Sequence, residues 1–168
     1  MHLTWIDHSP RRVFLGLAVG CLILLGFGLY LQHVVGLNPC PMCIVQRYAM
    51  LAIVFVAGLT ALSARHRVHV AGSVLLLLNA GLGAFVAARQ SWLQWYPPEV
   101  VSCGRDFYGM IENFPIGRVV PMIFRGSGDC SKIDWVFLGG SLANWSFVCF
   151  LLIAGLAVRL AMRPAQTP

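Results

Sequence analysis

Two cysteines stand three residues apart in Cys40-Pro41-Met42-Cys43, and Arg47 follows one helical turn after the second. Thiols at that spacing can close into a disulfide and reopen by exchange, which fits the segment for two-electron chemistry. Pro39 and Pro41 bias the turn toward extended backbone. A helix starting near Met42 to Ile44 leaves Cys43 among the unpaired N–H groups of its first turn. That end of a helix stabilises a thiolate. Arg47, four residues on, shares the helix face and adds a permanent positive charge. Each pKa unit of depression favours the thiolate by about 1.4 kcal/mol, and stabilising the reduced form makes the disulfide a stronger oxidant. Arg47 also has a plainer role open to it, because an arginine near the end of a membrane helix commonly snorkels to the headgroups.

A second pair, Cys103 and Cys130, has 26 residues between its members. A crosslink there is an ordinary brace, worth roughly 3 to 4 kcal/mol. Glycines at Cys103-Gly104 and in Gly126-Ser127-Gly128-Asp129-Cys130 also permit an approach to Cys40 or Cys43, which would turn two local pairs into a relay through a mixed disulfide. Spacing leaves both readings open. Cys21 and Cys149 lie inside apolar stretches and read as packing. Gln46, three residues past Cys43, gives only a weak signal.

The elements that must position these thiols are membrane helices. Hydrophobic residues make up 58% of the 168, charged residues 11%, and the mean hydropathy is +0.76, which excludes an ordinary water-soluble domain. Four uncharged stretches, Val13 to Val35, Tyr48 to Ala64, Val70 to Ala88 and Leu142 to Val158, approach or exceed the roughly 20 residues that span a hydrocarbon core. The expected fold is an all-α membrane protein, a four-transmembrane-helix bundle in one domain over 1–168. Spans are expected at about 13–35, 44–64, 70–88 and 142–160, joined by a turn at 36–43, a basic turn at 65–69 and a long, mostly irregular loop at 89–141. Prolines and glycines scattered through that loop argue against long regular elements, and its apolar patches Phe114 to Ile116 and Val119 to Phe124 suit a short segment lying on the lipid surface.

Charge orients the bundle. Arg11, Arg12, Arg65, Arg67, Arg159 and Arg163 fall in three short segments on one side, which the positive-inside rule makes cytoplasmic together with both termini. The net charge of +6 is therefore mostly a topology signal, and nucleic-acid binding is not expected. Cys40, Cys43, Cys103 and Cys130 then share the opposite face, in a compartment that permits disulfides. Ser9-Pro10-Arg11-Arg12 resembles a twin-arginine signal, but the apolar run continues through Tyr30 and Leu31 without a cleavage site, so it reads as a retained first span. Trp92, Trp95, Tyr96, Trp135 and Trp145 flank the spans as interfacial anchors.

Taken together, the outward Cys-x-x-Cys opening the second helix, the arginine four residues later, Gln32-His33, Asn38-Pro39-Cys40, Tyr96-Pro97 and Ser127-Gly128-Asp129-Cys130 resemble the DsbB family, disulfide bond formation protein B of bacteria. The likeness covers nearly the whole chain. It implies an inner-membrane protein-disulfide oxidoreductase that reoxidises a periplasmic DsbA-type dithiol oxidase and passes two electrons to membrane quinone, ubiquinone or menaquinone. By position, Cys103 is implied as the residue attacked by DsbA, with Cys130 as its disulfide partner. Cys130 is implied to exchange with the Cys40–Cys43 disulfide through Cys40, freeing Cys43 to face the quinone, whose oxygen Arg47 holds. Well-known members carry an acidic residue where Gln46 stands and a histidine where Gln90 or Arg89 stands, so Gln46 and Gln90 are left outside the implied site.

Energetics favour a strong acceptor. A DsbA-type dithiol lies near about −120 mV, and a structural disulfide below about −300 mV would oppose transfer by roughly 8 kcal/mol. Other classes make different demands. A four-thiolate zinc site lacks close spacing in its second pair, and a disulfide-braced scaffold subunit would tolerate loss of Cys43. A haem attachment motif needs histidine where Ile44 stands. Relays of the vitamin K epoxide reductase type carry their membrane Cys-x-x-Cys late in the bundle.

Overall fold

The computed structural model describes residues 9–96 and 131–163. Within them run four helices: α1 (Pro10–His33), α2 (Pro41–Leu62), α3 (His66–Trp95) and α4 (Leu142–Ala161). Each is long and apolar enough to cross a membrane. At 1.5 Å per residue even α4, with 20 residues, matches the roughly 30 Å hydrocarbon core.

Two helices run beyond the apolar stretches that announce them. α3 has 30 residues and continues past Ala88 to Trp95. Arg89, Gln90 and Gln94 interrupt the apolar run yet are good helix formers, so hydropathy stops where the backbone does not. Gln90 and Gln94 consequently stand on a rigid helix. α2 begins at Pro41, slightly ahead of the Met42 to Ile44 expected from the sequence, because proline suits the first helical position.

The end of the expected loop is also more ordered than its composition implies. Strands β1 (Val136–Phe137) and β2 (Gly140–Ser141) pair antiparallel, Val136 with Ser141 and Phe137 with Gly140. The two-residue turn between them holds Leu138 at φ 50° and Gly139 at φ 80°, the doubly positive pattern of a type I′ hairpin. Trp145 of α4 fixes this hairpin by donating from Nε1 to the Phe137 carbonyl at 2.9 Å.

Helices pack in the order α1 on α2, α2 on α3 and α3 on α4, with α3 and α4 meeting most extensively. The core is built from small residues, including Ala18, Ala57, Ala80, Ala87 and Ala157, while Ile23, Phe55, Leu59, Phe85 and Leu152 stand exposed. Small residues let helix backbones approach in lipid, and large apolar ones face the acyl chains. Polar ties lock the assembly: Asn79 Nδ2 donates to the Ala49 carbonyl at 3.1 Å. At the opposite end of the bundle from Cys40, Arg11 Nε donates to the Ala61 carbonyl at 2.9 Å, occupying an orphan carbonyl at the end of α2.

In the α3–α4 seam Gly83 leaves no room for a side chain: an added Cβ would sit 2.4 Å from the Phe150 ring. Phe150 is fully buried and cannot swing clear. Gly83→Ala is expected to destabilise the bundle by about 1 to 3 kcal/mol, the ordinary cost of overpacking. Thermal unfolding in detergent will show this as a lowered midpoint, whereas Gly81→Ala, with open space around it, will not move it.

Candidate functional site

Cys40 is the N-cap of α2, with extended backbone (φ −73°, ψ 162°) and its sulfur accepting from the Cys43 amide at 3.4 Å. Pro41 at the first helical position forfeits no bond, because its N–H would be unpaired there anyway. Cap and first turn together bring the two sulfurs to 3.2 Å, with Cys40 donating to Cys43. A small side-chain adjustment separates this dithiol from a disulfide. The Cys40 thiol is pushed well above the ordinary thiol range, first by that hydrogen bond and then by burial, so the proton of the pair stays on Cys40.

Arg47 lies one turn further along α2, as the spacing predicts, and α1 fixes its guanidinium. Nη1 donates to Gln32 Oε1 and Nη2 to the Gly28 carbonyl at 3.0 Å. Both partners are uncharged, so among the described residues no carboxylate neutralises the arginine. Its charge remains available to the site.

Cys43 and Arg47 form a shared wall between two cavities. The smaller, about 60 Å³, also touches Cys40, Gln90, Lys132 and Asp134. The larger, about 250 Å³, opens between α1, α2 and α4 and is lined chiefly by apolar side chains such as Leu24, Phe27, Met50 and Phe150, with Arg47 the only charged residue among the described ones that line it. This cavity occupies the seam where α1 and α4 do not pack closely. Trp135 reaches both spaces, and Phe137 and Trp145 roof the larger one.

Several of these groups were not singled out by the sequence. Gln46 Nε2 donates to Gln90 Oε1 at 2.7 Å, and Gln90 Nε2 lies 3.1 Å from Cys43 Sγ and 3.3 Å from Cys40 Sγ. Spacing along α2 places Gln46 near Cys43, but nothing local marks Gln90, which is 47 positions away from Cys43. Gln32 belongs to the motif that carries the resemblance, and its geometry now explains why: it orients Arg47. Trp135, expected as an interfacial anchor, is instead half-buried and packs edge-on against Phe27 with ring centroids 5.8 Å apart. Cys21 is buried in the core as expected, and Cys149 packs against that core while also lining the larger cavity. Cys103 and Cys130 lie outside the described residues.

A family model described as "Disulfide bond formation protein DsbB" matches residues 10–160. Curated relatives agree over nearly the full length. A protein of Albidiferax ferrireducens named disulfide bond formation protein B is 64% identical over 159 residues, covering 95% of this chain and 91% of that one. One of the same name from Polaromonas naphthalenivorans is 64% identical over 166 residues, 99% of each chain, and one from Azoarcus sp. is 52% identical over 157 residues, 92% of this chain and 94% of that one. With a closely spaced dithiol capping a membrane helix, and a likeness that spans all four helices, the chain is a multi-pass membrane protein of the DsbB family and serves disulfide bond formation.

Proposed function

We propose that the protein is a thiol:quinone oxidoreductase that reoxidises a DsbA-type periplasmic dithiol oxidase and delivers two electrons to membrane quinone. The single observation that carries this reading is the position of Cys43, a sulfur that borders a small cavity shared with Cys40, Lys132 and Asp134 on one side and a larger apolar cavity on the other. A thiol confined to a structural brace has no use for a second, lipid-like face.

The larger cavity fits a quinone ring. Its volume of about 250 Å³, apolar lining and lone cation match a flat ring with a polar oxygen at its edge. Quinone, when bound, supplies a two-electron, two-proton acceptor that dissolves in the bilayer. Arg47 would hold its oxygen, and Leu24, Phe27 and Met50 would exclude water from the ring.

The four reactive cysteines act in order. A thiolate of the partner attacks Cys103 in the Cys103–Cys130 disulfide, and Cys130 leaves. Cys130 then attacks Cys40 in the Cys40–Cys43 disulfide, forming Cys130–Cys40 and releasing Cys43 as the leaving sulfur. Attack by the freed partner thiol on its bond to Cys103 releases the oxidised partner. The covalent chain supports this exchange, since Lys132 lines the smaller cavity beside Cys40 and Cys130 precedes it by two residues. Two residues of extended chain span at most about 7 Å.

The whole chain, 1–168, serves as one membrane domain of the bacterial inner membrane. Arg11, Arg65, Arg67, Arg159 and Arg163 gather where α1 begins, α2 ends, α3 begins and α4 ends, and the positive-inside rule makes that end cytoplasmic. The redox cysteines then face the periplasm. The decisive experiment mixes purified protein, quinone and a reduced DsbA-type dithiol without oxygen and follows quinone absorbance. One quinone is expected to be reduced per dithiol oxidised, with Cys103→Ser abolishing turnover. Undiminished turnover in Cys103→Ser overturns the relay.

A further inference from the structure

The outer ends of α2 and α3 are joined by a short chain of buried polar atoms whose last members are the reactive sulfurs. Gln46 is 5% exposed and Gln90 3%, so both amides must find their partners inside the protein. Gln90 does so at every position. Its nitrogen carries two hydrogens and meets two sulfurs, at 3.1 Å and 3.3 Å, while its oxygen accepts from Gln46 at 2.7 Å and, at the longer distance of 3.6 Å, from Cys43 Sγ when that thiol is protonated. Turning the Gln90 amide over would set its NH₂ against the NH₂ of Gln46 and aim its carbonyl at the sulfurs. The contact from Gln46 opposes that reversal.

We propose that this amide pair sets the oxidising strength of the Cys40–Cys43 couple, with Gln90 a further catalytic residue donating to both sulfurs and Gln46 a positioning residue holding the amide in that orientation. The assignment deepens the electron-relay reading and rests on it for its biological use. Reduction of the disulfide breaks the S–S bond and takes up two electrons from a protein dithiol, which closes into a disulfide; of its two protons one ends on Cys40 and the other passes to solvent, leaving the charge on the other sulfur. A sulfur bearing charge accepts hydrogen bonds more strongly than a disulfide sulfur does. Gln90 therefore stabilises the reduced state more than the oxidised state, and a couple whose reduced form is stabilised is the stronger oxidant. Neither amide titrates, so the contribution follows the charge on that sulfur: it is present while the sulfur is a thiolate and fades as pH falls far enough to protonate it.

The test measures the equilibrium of the Cys40–Cys43 couple with dithiothreitol in full-length protein whose Cys103 and Cys130 are serine, reading thiols by alkylation. Gln90→Met is expected to make the disulfide harder to reduce by about tenfold, equivalent to about 30 mV. Gln90→Asn, which keeps an amide but shortens its reach, should shift the constant the same way and guards against a folding defect in the first variant. Gln46→Met should give a smaller shift in that direction, and no further shift when added to Gln90→Met, because it acts through Gln90. A constant unchanged in both Gln90 variants overturns the proposal, as does a Gln46→Met shift that adds in full to that of Gln90→Met. Neither quinone nor partner enters the measurement. An unshifted constant therefore leaves the relay reading intact, and failure of the relay in quinone assays leaves a shifted constant standing.

Discussion

Replacing Cys43 with serine is expected to abolish quinone reduction, lowering turnover by about 10⁴-fold or more, the scale seen when one member of a catalytic unit is removed. The hydroxyl cannot form the disulfide with Cys40, and it cannot carry charge into the larger cavity at neutral pH. Cys40 survives in this variant as a free thiol that can attack Cys130 in the Cys103–Cys130 disulfide, forming Cys40–Cys130 and releasing Cys103 as a thiol. A non-reducing gel should therefore show the long loop trapped on Cys40 while quinone absorbance stays constant. A scaffold whose cysteines only brace the loop predicts the opposite outcome, activity near wild type.

Removing the charge of Arg47 is expected to give the second largest effect. Arg47→Met keeps most of the side-chain volume while deleting the donors to Gln32 and the Gly28 carbonyl and the only charge that the described residues bring to the larger cavity. Loss of a preorganised electrostatic contact typically costs about 10² to 10³ in rate. Arg47→Lys should recover only part of this, because an ammonium cannot span both α1 oxygens as the planar guanidinium does. Steady-state kinetics against quinone concentration separate the causes. If Arg47 only set helix depth in the bilayer, Arg47→Lys would match wild type.

The bundle was largely legible because membrane helices announce themselves. Each backbone hydrogen bond in lipid must close within its own segment, so apolar runs map to helices almost without ambiguity. The Cys40 cap was legible for a different reason, since flanking prolines and the i, i+4 placement of Arg47 are local facts. Residues joined across helices were not. Gln46 and Gln90 are 44 positions apart, and each alone is an ordinary polar residue near a membrane surface. The family likeness marked these two positions only as departures, and it took their geometry to reveal a contact. The hairpin escaped notice because its turn sets Leu138 at φ 50°, where glycine or asparagine would have signalled it. The continuation of α3 to Trp95 escaped because charge and amide groups end an apolar run without ending a helix.

Residues 132–135 border the small cavity beside the cysteines, and Trp135 and Phe137 border the large one, so a single strip of chain is common to both. Trp135 stacks on Phe137 at 12° between ring planes, and Trp145 ties the strip to α4. Whatever fills the oily chamber and steadies these rings also steadies the tether of Cys130. Under the proposed relay, linkage would make the influence mutual: a docked protein that holds this strip would tighten the grip on a lipid-borne acceptor by the same factor. The two halves of that proposed reaction would then be yoked through mechanics as well as through sulfur.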